Sequence, residues 1–276
     1  MAGEANEIVR VGIYDTKSKK TIYLETGDAD QYLTNLSWGP ADKYLYIGVL
    51  NRGQNHLKWQ QYDVSTCKVV KTIFEEKSES FVEPLNPLHF SPNRSNEFIW
   101  TTWMNGYTHF YKYNTDVKEL KQMTKGAFEV KSFEGFDASG KNIYFTSTEE
   151  SPLETHLYKV SINGGKAKKI TSAKGQHSVR ISDKSNFIID SYSSRLVARK
   201  MLVLDKNGKQ VQELHDAGNP MAAYEENGIE FGTIKAKDQT TDLYYRIIKP
   251  YNFDPSKKYP VIQYVYGGPH AQMISE

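Results

Sequence analysis

One order of short strands and turns repeats four times along this sequence, and this repeat limits the possible folds more than any other feature. The second strands are centred near Tyr46, Ile99, Tyr144 and Ile189, so successive units lie 53, 45 and 45 residues apart. Four short strands at such an interval are typical of a β-propeller blade, which buries its faces against neighbouring blades. A β-sandwich has turns at similar spacing, but not this order of turn types. The repeat therefore predicts a mainly β protein that contains part of a β-propeller.

Further strands are predicted on both sides of the four full units. An alternating strand at 9–15 and a short strand at 21–24 precede the first full unit, and they predict the second half of another blade. The breaker cluster from Asp216 to Pro220 predicts a domain boundary, and three further strands are expected after it, at 229–235, 243–249 and 261–266. We therefore expect a partial propeller of a half blade and four blades over residues 1–218. Residues 219–276 are expected to be the truncated start of a second domain.

Composition and charge argue against several classes of function. The 35 basic and 33 acidic residues give a net charge of +2 and are scattered, so no nucleic-acid partner is expected. No apolar run approaches the roughly 18 residues of a membrane helix. Cys67 is the only cysteine, which leaves no internal disulfide and no cysteine-based metal site. Met1 to Glu4 have neither the basic start nor the apolar core of a signal peptide.

The stretch from Lys257 to Gln272 carries the strongest functional signal. Its β-branched and aromatic run, Val261 to Tyr266, predicts a strand that leads into Gly267-Gly268-Pro269. Two glycines permit positive φ angles and a close approach of the backbone, and the proline fixes the exit from the turn. α/β-Hydrolases place part of an oxyanion hole at such a point. The alternative is an ordinary turn after a buried strand.

The same stretch closely resembles the entry to the catalytic domain of dipeptidyl peptidase IV-like enzymes, which are serine peptidases of the prolyl oligopeptidase family. Ile247 to Asp254 resembles that family's lead-in, and Phe81 to Pro84 and Gly106 to Tyr113 are further specific parts of the resemblance. The resemblance spans essentially the whole chain. It implies an eight-bladed propeller followed by an α/β-hydrolase domain, so that this chain would hold the C-terminal part of the propeller and the first hydrolase strands.

The resemblance also implies roles for two residues. Relatives that remove acylated residues tend to have His-Gly-Gly-Pro at the turn, whereas this sequence has Tyr266, which favours the dipeptidyl peptidase branch. In that branch the matching tyrosine donates its hydroxyl to the oxyanion. Glu83 lies in a loop that faces the substrate cleft in the family, although some members have a basic residue nearby. Tyr266 is therefore the candidate oxyanion-hole residue and Glu83 the candidate substrate-binding residue.

A serine hydrolase needs a nucleophile in the context Gly-x-Ser-x-Gly, followed by an acid and a histidine. No serine of this sequence has that context, so the catalytic triad is expected outside it and the chain alone is predicted to be inactive. The acidic pair with which the family holds the amino terminus of the substrate is absent as well. By resemblance the parent enzyme would release Xaa-Pro or Xaa-Ala dipeptides from peptides through an acyl-enzyme, without a cofactor. The resemblance further implies a periplasmic or secreted enzyme, and a homodimeric parent is compatible with it.

Two alternatives remain open. A propeller of this kind can be a non-catalytic module that binds a peptide or protein, and the chain can equally belong to an acyl-peptide hydrolase or oligopeptidase of the same superfamily. The histidines do not help to choose, because no two show the close spacing of metal ligands and each is expected to be packed or exposed to solvent. They are His56, His89, His109, His156, His177, His215 and His270.

Overall fold

The computed structural model describes residues 7–116, 119–224, 228–268 and 270–276. The chain forms two compact units. The first extends to Val130 and includes two later segments, 139–143 and 160–167. The second comprises residues 131–138, 144–159 and 168–276. Four antiparallel sheets of four strands account for most of the chain, and in each sheet the strands are neighbours in sequence order.

A two-stranded hairpin comes first, made of β1 (Gly12–Asp15) and β2 (Lys20–Tyr23). Two paired strands were predicted here, and the first is shorter than the sequence pattern indicated. Lys19 carries the turn between the two strands with a φ of 56°, and Asp15 accepts the backbone hydrogen bonds of that turn.

The first four-stranded sheet consists of β3 (Gln31–Trp38), β4 (Tyr44–Asn51), β5 (His56–Asp63) and β6 (Val69–Lys77). A short 3-10 turn at Pro40–Asp42 joins β3 to β4. In β5, buried positions alternate with half-buried ones along most of the strand, as expected of a pleated ribbon with one face toward a core.

The second sheet repeats this order with β7 (His89–Ser91), β8 (Arg94–Thr102), β9 (His109–Asn114) and β10 (Glu119–Gln122). The final six residues of β8 are all buried. A strand that is covered on both faces has this continuous burial, which explains why the second strands read as apolar runs.

The third sheet consists of β11 (Val130–Phe136), β12 (Asn142–Ser147), β13 (His156–Ser161) and β14 (Lys168–Lys169). Its last strand has only two residues. Lysines dominate this segment, and charged side chains on a short outer strand oppose pairing with another chain.

The fourth sheet contains β15 (Gln176–Ile181), β16 (Phe187–Ser194), β17 (Val197–Asp205) and β18 (Gln210–Asp216). Every residue of β18 is exposed, as befits an outermost strand. The fold is thus the expected partial β-propeller of four-stranded blades.

Apolar packing within each unit follows the strand pattern. The first unit has an aromatic cluster in which the Phe74 ring lies 4.5 Å from Trp100 and 5.2 Å from Tyr113, measured between ring centroids. The second unit has a largely aliphatic cluster around Leu157 and Ile188, both fully buried. Burying such side chains stabilises a fold by about 1.5–3 kcal/mol each relative to leaving them exposed.

After the fourth sheet, β19 (Ile229–Lys235) and β20 (Asp242–Ile248) form the predicted antiparallel hairpin. The predicted third strand, Val261 to Tyr266, is wrong for this structure, because the segment forms no sheet with any described part of the chain. Ile262 is 98 % exposed, so its β-branched side chain has nothing to pack against. A β-branched run favours extended backbone, but only a ladder partner makes it a strand. In the described residues no helix is long and apolar enough to cross a bilayer.

Candidate functional site

Two loops of the first unit carry an exposed aromatic surface. The loop between β6 and β7 presents Phe81, and the loop between β8 and β9 presents Trp103, with 5.0 Å between the ring centroids. Phe81 remains 41 % exposed, and Met104 and Tyr107 are exposed to a similar degree in the second loop. We call Phe81, Glu83, Trp103, Met104 and Tyr107 the loop surface. Trp103 is half-buried beneath this surface, and an exposed ring packed on a half-buried one is typical of a binding surface.

The first of these loops is fixed by three hydrogen bonds to neighbouring segments. The backbone N–H of buried Val82 donates to the Gln54 carbonyl at 2.7 Å. The Asn35 amide donates to the Pro84 carbonyl at 2.9 Å, and the Leu88 N–H donates to Ser37 Oγ at 2.8 Å. Because the residues on either side of Phe81 and Glu83 are held in this way, both side chains are presented from a fixed backbone.

The second loop is closed by a turn at Gly106. The Gly106 N–H donates to the Trp103 carbonyl at 2.8 Å, and the residue has a φ of +89°, a conformation that favours glycine. The Asn105 amide donates to the Tyr111 hydroxyl at 2.8 Å, which ties the tip of the loop to β9. The sequence Asn105-Gly106 therefore positions Trp103, Met104 and Tyr107 at the loop surface.

Charged groups flank the loop surface. Arg52, in the turn between β4 and β5, donates to the Tyr32 hydroxyl at 2.6 Å and lies 3.8 Å from an Asp30 carboxylate oxygen. Gln54 of the same turn accepts the hydrogen bond from Val82, so the backbone of this turn lies beside the Phe81 loop. Glu76 accepts a hydrogen bond from Thr102, and burial raises the pKa of its carboxyl group.

The side chains of the loop surface are mostly apolar. It offers apolar faces and the exposed acidic residue Glu83. An extended peptide can use each of these contacts through its side chains and backbone. Among the residues that the structure describes, no group of three His, Cys, Asp or Glu side chains could hold a metal ion.

Of the two predicted site residues, Tyr266 belongs to the second unit and Glu83 to the first. Tyr266 is 67 % exposed, and no hydrogen bond to its hydroxyl is found within the described residues. The expected positive φ is present at Gly267, at +66°. Pro269 of the predicted turn lies outside the described residues.

Sequence reasoning singled out the Phe81 segment and the Tyr107 segment but did not pair Phe81 with Trp103. The two residues are 22 positions apart, and no local pattern specifies their contact. The available signal was the position of an aromatic residue beside a turn in two successive units, at Ser80-Phe81 and at Trp103 ahead of Asn105-Gly106.

Comparison with known proteins finds a matching family and similar solved structures. Residues 1–199 match the family described as the dipeptidyl peptidase IV N-terminal region. A solved structure of a predicted dipeptidyl aminopeptidase IV from Bacteroides ovatus superposes with a TM-score of 0.92 at 39 % identity, covering 100 % of this chain and 42 % of that one. Porphyromonas gingivalis dipeptidyl peptidase 4 superposes with a TM-score of 0.87 at 27 % identity, covering 99 % of this chain and 39 % of that one.

One curated relative also matches along this whole chain. A predicted dipeptidyl-aminopeptidase B of Tuber melanosporum is 28 % identical over 299 residues, which is 100 % of this chain and 32 % of that protein. The chain thus spans about a third of the length of the curated relatives that it matches.

Proposed function

Because this chain belongs to the family of dipeptidyl peptidase IV N-terminal regions, we propose that it is the propeller part of a dipeptidyl peptidase. In this proposal the intact protein releases N-terminal dipeptides from peptides, with Pro or Ala at the second position. The loop surface is the observation on this chain that carries the proposal, since it presents paired aromatic side chains from a backbone that hydrogen bonds hold in place. Such a surface suits an extended peptide.

The proposed chemistry is of the serine type. The 276 residues contain no Gly-x-Ser-x-Gly sequence, so the nucleophile would come from another part of the protein. Tyr266 would contribute the oxyanion-hole donor. Its exposed phenol and the positive φ of Gly267 support this role, because the hydroxyl is accessible and the backbone turns away directly after it. Glu83 would contact the bound peptide from the loop surface.

The test of peptide binding is the substitution Phe81→Ala in the intact protein. Removing a ring that covers apolar peptide surface should raise KM for a Gly-Pro-containing hexapeptide about tenfold, or roughly 1.4 kcal/mol, with kcat little changed. Phe187→Ala is the matched control, since Phe187 is also an exposed phenylalanine but belongs to β16. A KM within twofold of wild type, or an equal rise in the control, would contradict the role of the loop surface.

The test of the enzyme class is turnover of a Gly-Pro chromogenic amide by the intact protein, together with its loss on treatment with a fluorophosphonate. The isolated 276-residue chain should show no turnover, because it has no nucleophile in the required context. Binding of the peptide without any cleavage by the intact protein would favour the alternative, a non-catalytic propeller.

A further inference from the structure

Five buried polar side chains form a cluster in the second unit that the proposed function does not use. Glu154, His156 and His177 lie where the third and fourth sheets meet, together with Thr171 and Asp190. We call these five residues the seam cluster. His156 is completely buried, and the His177 ring lies 4.9 Å from it between centroids.

The seam itself is a backbone connection between Thr155, which precedes β13, and Gln176, which begins β15. Thr155 and Gln176 form a parallel bridge, in which the Thr155 N–H donates to the Gly175 carbonyl at 3.1 Å and the His177 N–H donates to the Thr155 carbonyl at 3.0 Å. Both histidines therefore sit directly beside the hydrogen bonds that join the two sheets.

His177 has acceptors at both ring nitrogens. Its Nδ1 lies 2.8 Å from an Asp190 carboxylate oxygen and its Nε2 lies 2.7 Å from the Ala173 carbonyl. Because neither partner group donates when Asp190 is ionised, the doubly protonated, cationic ring satisfies both contacts. Tyr192 stacks on the other face of this ring at 5.0 Å.

His156 differs from His177 because one of its two partners can donate a hydrogen bond. Its Nε2 lies 2.8 Å from a Glu154 carboxylate oxygen, and its Nδ1 lies 3.1 Å from Thr171 Oγ1. Thr171 Oγ1 already accepts from the Leu157 N–H at 3.0 Å, so its own hydrogen is available to Nδ1. The neutral ring with its hydrogen on Nε2 satisfies every group. A second proton on His156 would leave the buried Thr171 hydroxyl without an acceptor and would place a second cation 4.9 Å from His177.

The corresponding seam in the first unit shows that packing alone does not require these charges. There the Val130 N–H donates to the Thr108 carbonyl at 2.9 Å, just before His109, whose Nδ1 lies 3.1 Å from Thr124 Oγ1. Val130 thus stands in the place of His177. An apolar residue closes that seam, whereas the seam cluster carries a titratable pair.

We propose that the seam cluster is a proton-operated latch, which joins the third and fourth sheets at neutral pH and loosens the Thr155–Gln176 bridge when His156 takes up one further proton. Proton uptake by His156 loosens the bridge because the protonated ring can no longer accept from Thr171 and lies beside the His177 ring. The cluster must then rearrange, and the adjoining backbone bridge rearranges with it. Proton binding therefore favours the loosened form, and falling pH shifts the population toward it.

The surroundings of His156 support the direction of this effect. Burial lowers the pKa of His156; the hydrogen bond to Glu154 opposes this, and the positive charges of Lys169 and His177 add to it. The closed latch therefore binds this proton more weakly than an exposed histidine would. The titratable and charged groups of the adjoining elements are Glu149, Glu150 and Glu154 in the preceding loop, Tyr158 on β13, Lys169 and Lys174 after it, His177 on β15, and Asp190 and Tyr192 on β16.

The test is hydrogen–deuterium exchange of the intact protein at pH 7.5 and pH 5.0, corrected for the intrinsic pH dependence of exchange. Amides in segments 152–158 and 174–179 should exchange at least tenfold faster at pH 5.0. The variant His156→Gln should abolish this difference, because glutamine can still donate to Glu154 but does not titrate. The matched control His215→Gln changes an exposed histidine on β18 and should leave the difference intact.

A difference that survives in His156→Gln, or exchange that is equal at the two pH values, would overturn the proposal. Should His156→Gln fail to fold, the wild-type protein decides by NMR titration of its histidine ring signals. The His156 ring must then take up its proton over the same pH range in which the seam amides lose protection. Titration of His156 without that loss, or loss without titration, would overturn the latch.

Discussion

Among single residues, Tyr266 is notable because it lies outside any sheet of the described residues and its ring packs against the backbone of Gly268. Its ring lies across Gly268, where a Cβ atom would come within 2.3 Å of a ring carbon. Any residue other than glycine at position 268 would therefore displace the ring. The glycine pair has two separate uses, since Gly267 supplies the positive φ and Gly268 leaves room for the phenol.

The substitution Tyr266→Phe in the intact protein tests the proposed oxyanion role. It deletes one hydroxyl and keeps the ring, so kcat should fall on the order of 10²–10³ while KM and the melting temperature change little. Tyr264→Phe is the control, because Tyr264 is exposed in the same segment. Near-normal kcat in the Tyr266 variant, or an equal loss in the control, would show that the hydroxyl does not serve the reaction.

At the scale of elements, the turn between β17 and β18 depends on one glycine. Gly208 has a φ of +91°, and its N–H donates to the Asp205 carbonyl at 3.0 Å. A Cβ atom at Gly208 would lie 2.1 Å from the Ile170 carbonyl oxygen, which is backbone and cannot move aside as a side chain can. The turn is thus fixed both by its own conformation and by contact with the residue that follows β14.

Gly208→Ala should lower the free energy of unfolding by clearly more than Gly218→Ala. Gly218 also has a positive φ, at +65°, but nothing lies within 4 Å of its missing Cβ. Alanine at Gly218 should therefore cost only the left-handed conformation, roughly 1–2 kcal/mol, whereas alanine at Gly208 adds a backbone clash. Urea denaturation of the two variants measures the difference. Equal losses of unfolding free energy in the two variants would mean that residue 208 and the Ile170 carbonyl move apart without cost.

At the scale of the whole molecule, stability is expected to depend on pH through histidines that folding buries. Burial lowers the pKa of His89 to about 4, against an ordinary value near 6.5. Between these values the unfolded chain binds a proton that the folded chain does not. Folding stability from this group is therefore complete above about pH 6.5 and is lost as the pH falls toward 4. The Glu76 carboxyl has the opposite effect on folding stability. Because burial raises its pKa, its contribution to stability is lost as the pH rises.

Urea denaturation between pH 7 and pH 4 measures this dependence. The His89 contribution should amount to roughly 2–3 kcal/mol across the range, and His89→Gln should flatten the curve by that amount. His215→Gln, at an exposed position, should not. A curve that His89→Gln leaves unchanged would show that this histidine is not buried in neutral form.

The amino-acid sequence by itself determined the fold class, because the features that specify it are local. Alternating apolar residues, β-branched runs and turn residues act over a few positions, and they recur every 45 to 53 residues. The four full sheets and the hairpin at 229–248 accordingly follow the predicted order. The glycine requirement at Gly267 was also predictable, since only glycine adopts a positive φ at little cost.

The tertiary structure alone decided which distant residues meet. Val261 to Tyr266 has the local chemistry of a strand, yet it has no ladder partner among the described residues, and pairing is not a local property. The Phe81–Trp103 and His156–His177 ring contacts join residues about 20 positions apart, and no single segment encodes either contact. Local preference is set by each residue's own conformational energy, whereas a site is set by the sum of contacts between elements, which exists only once those elements have packed.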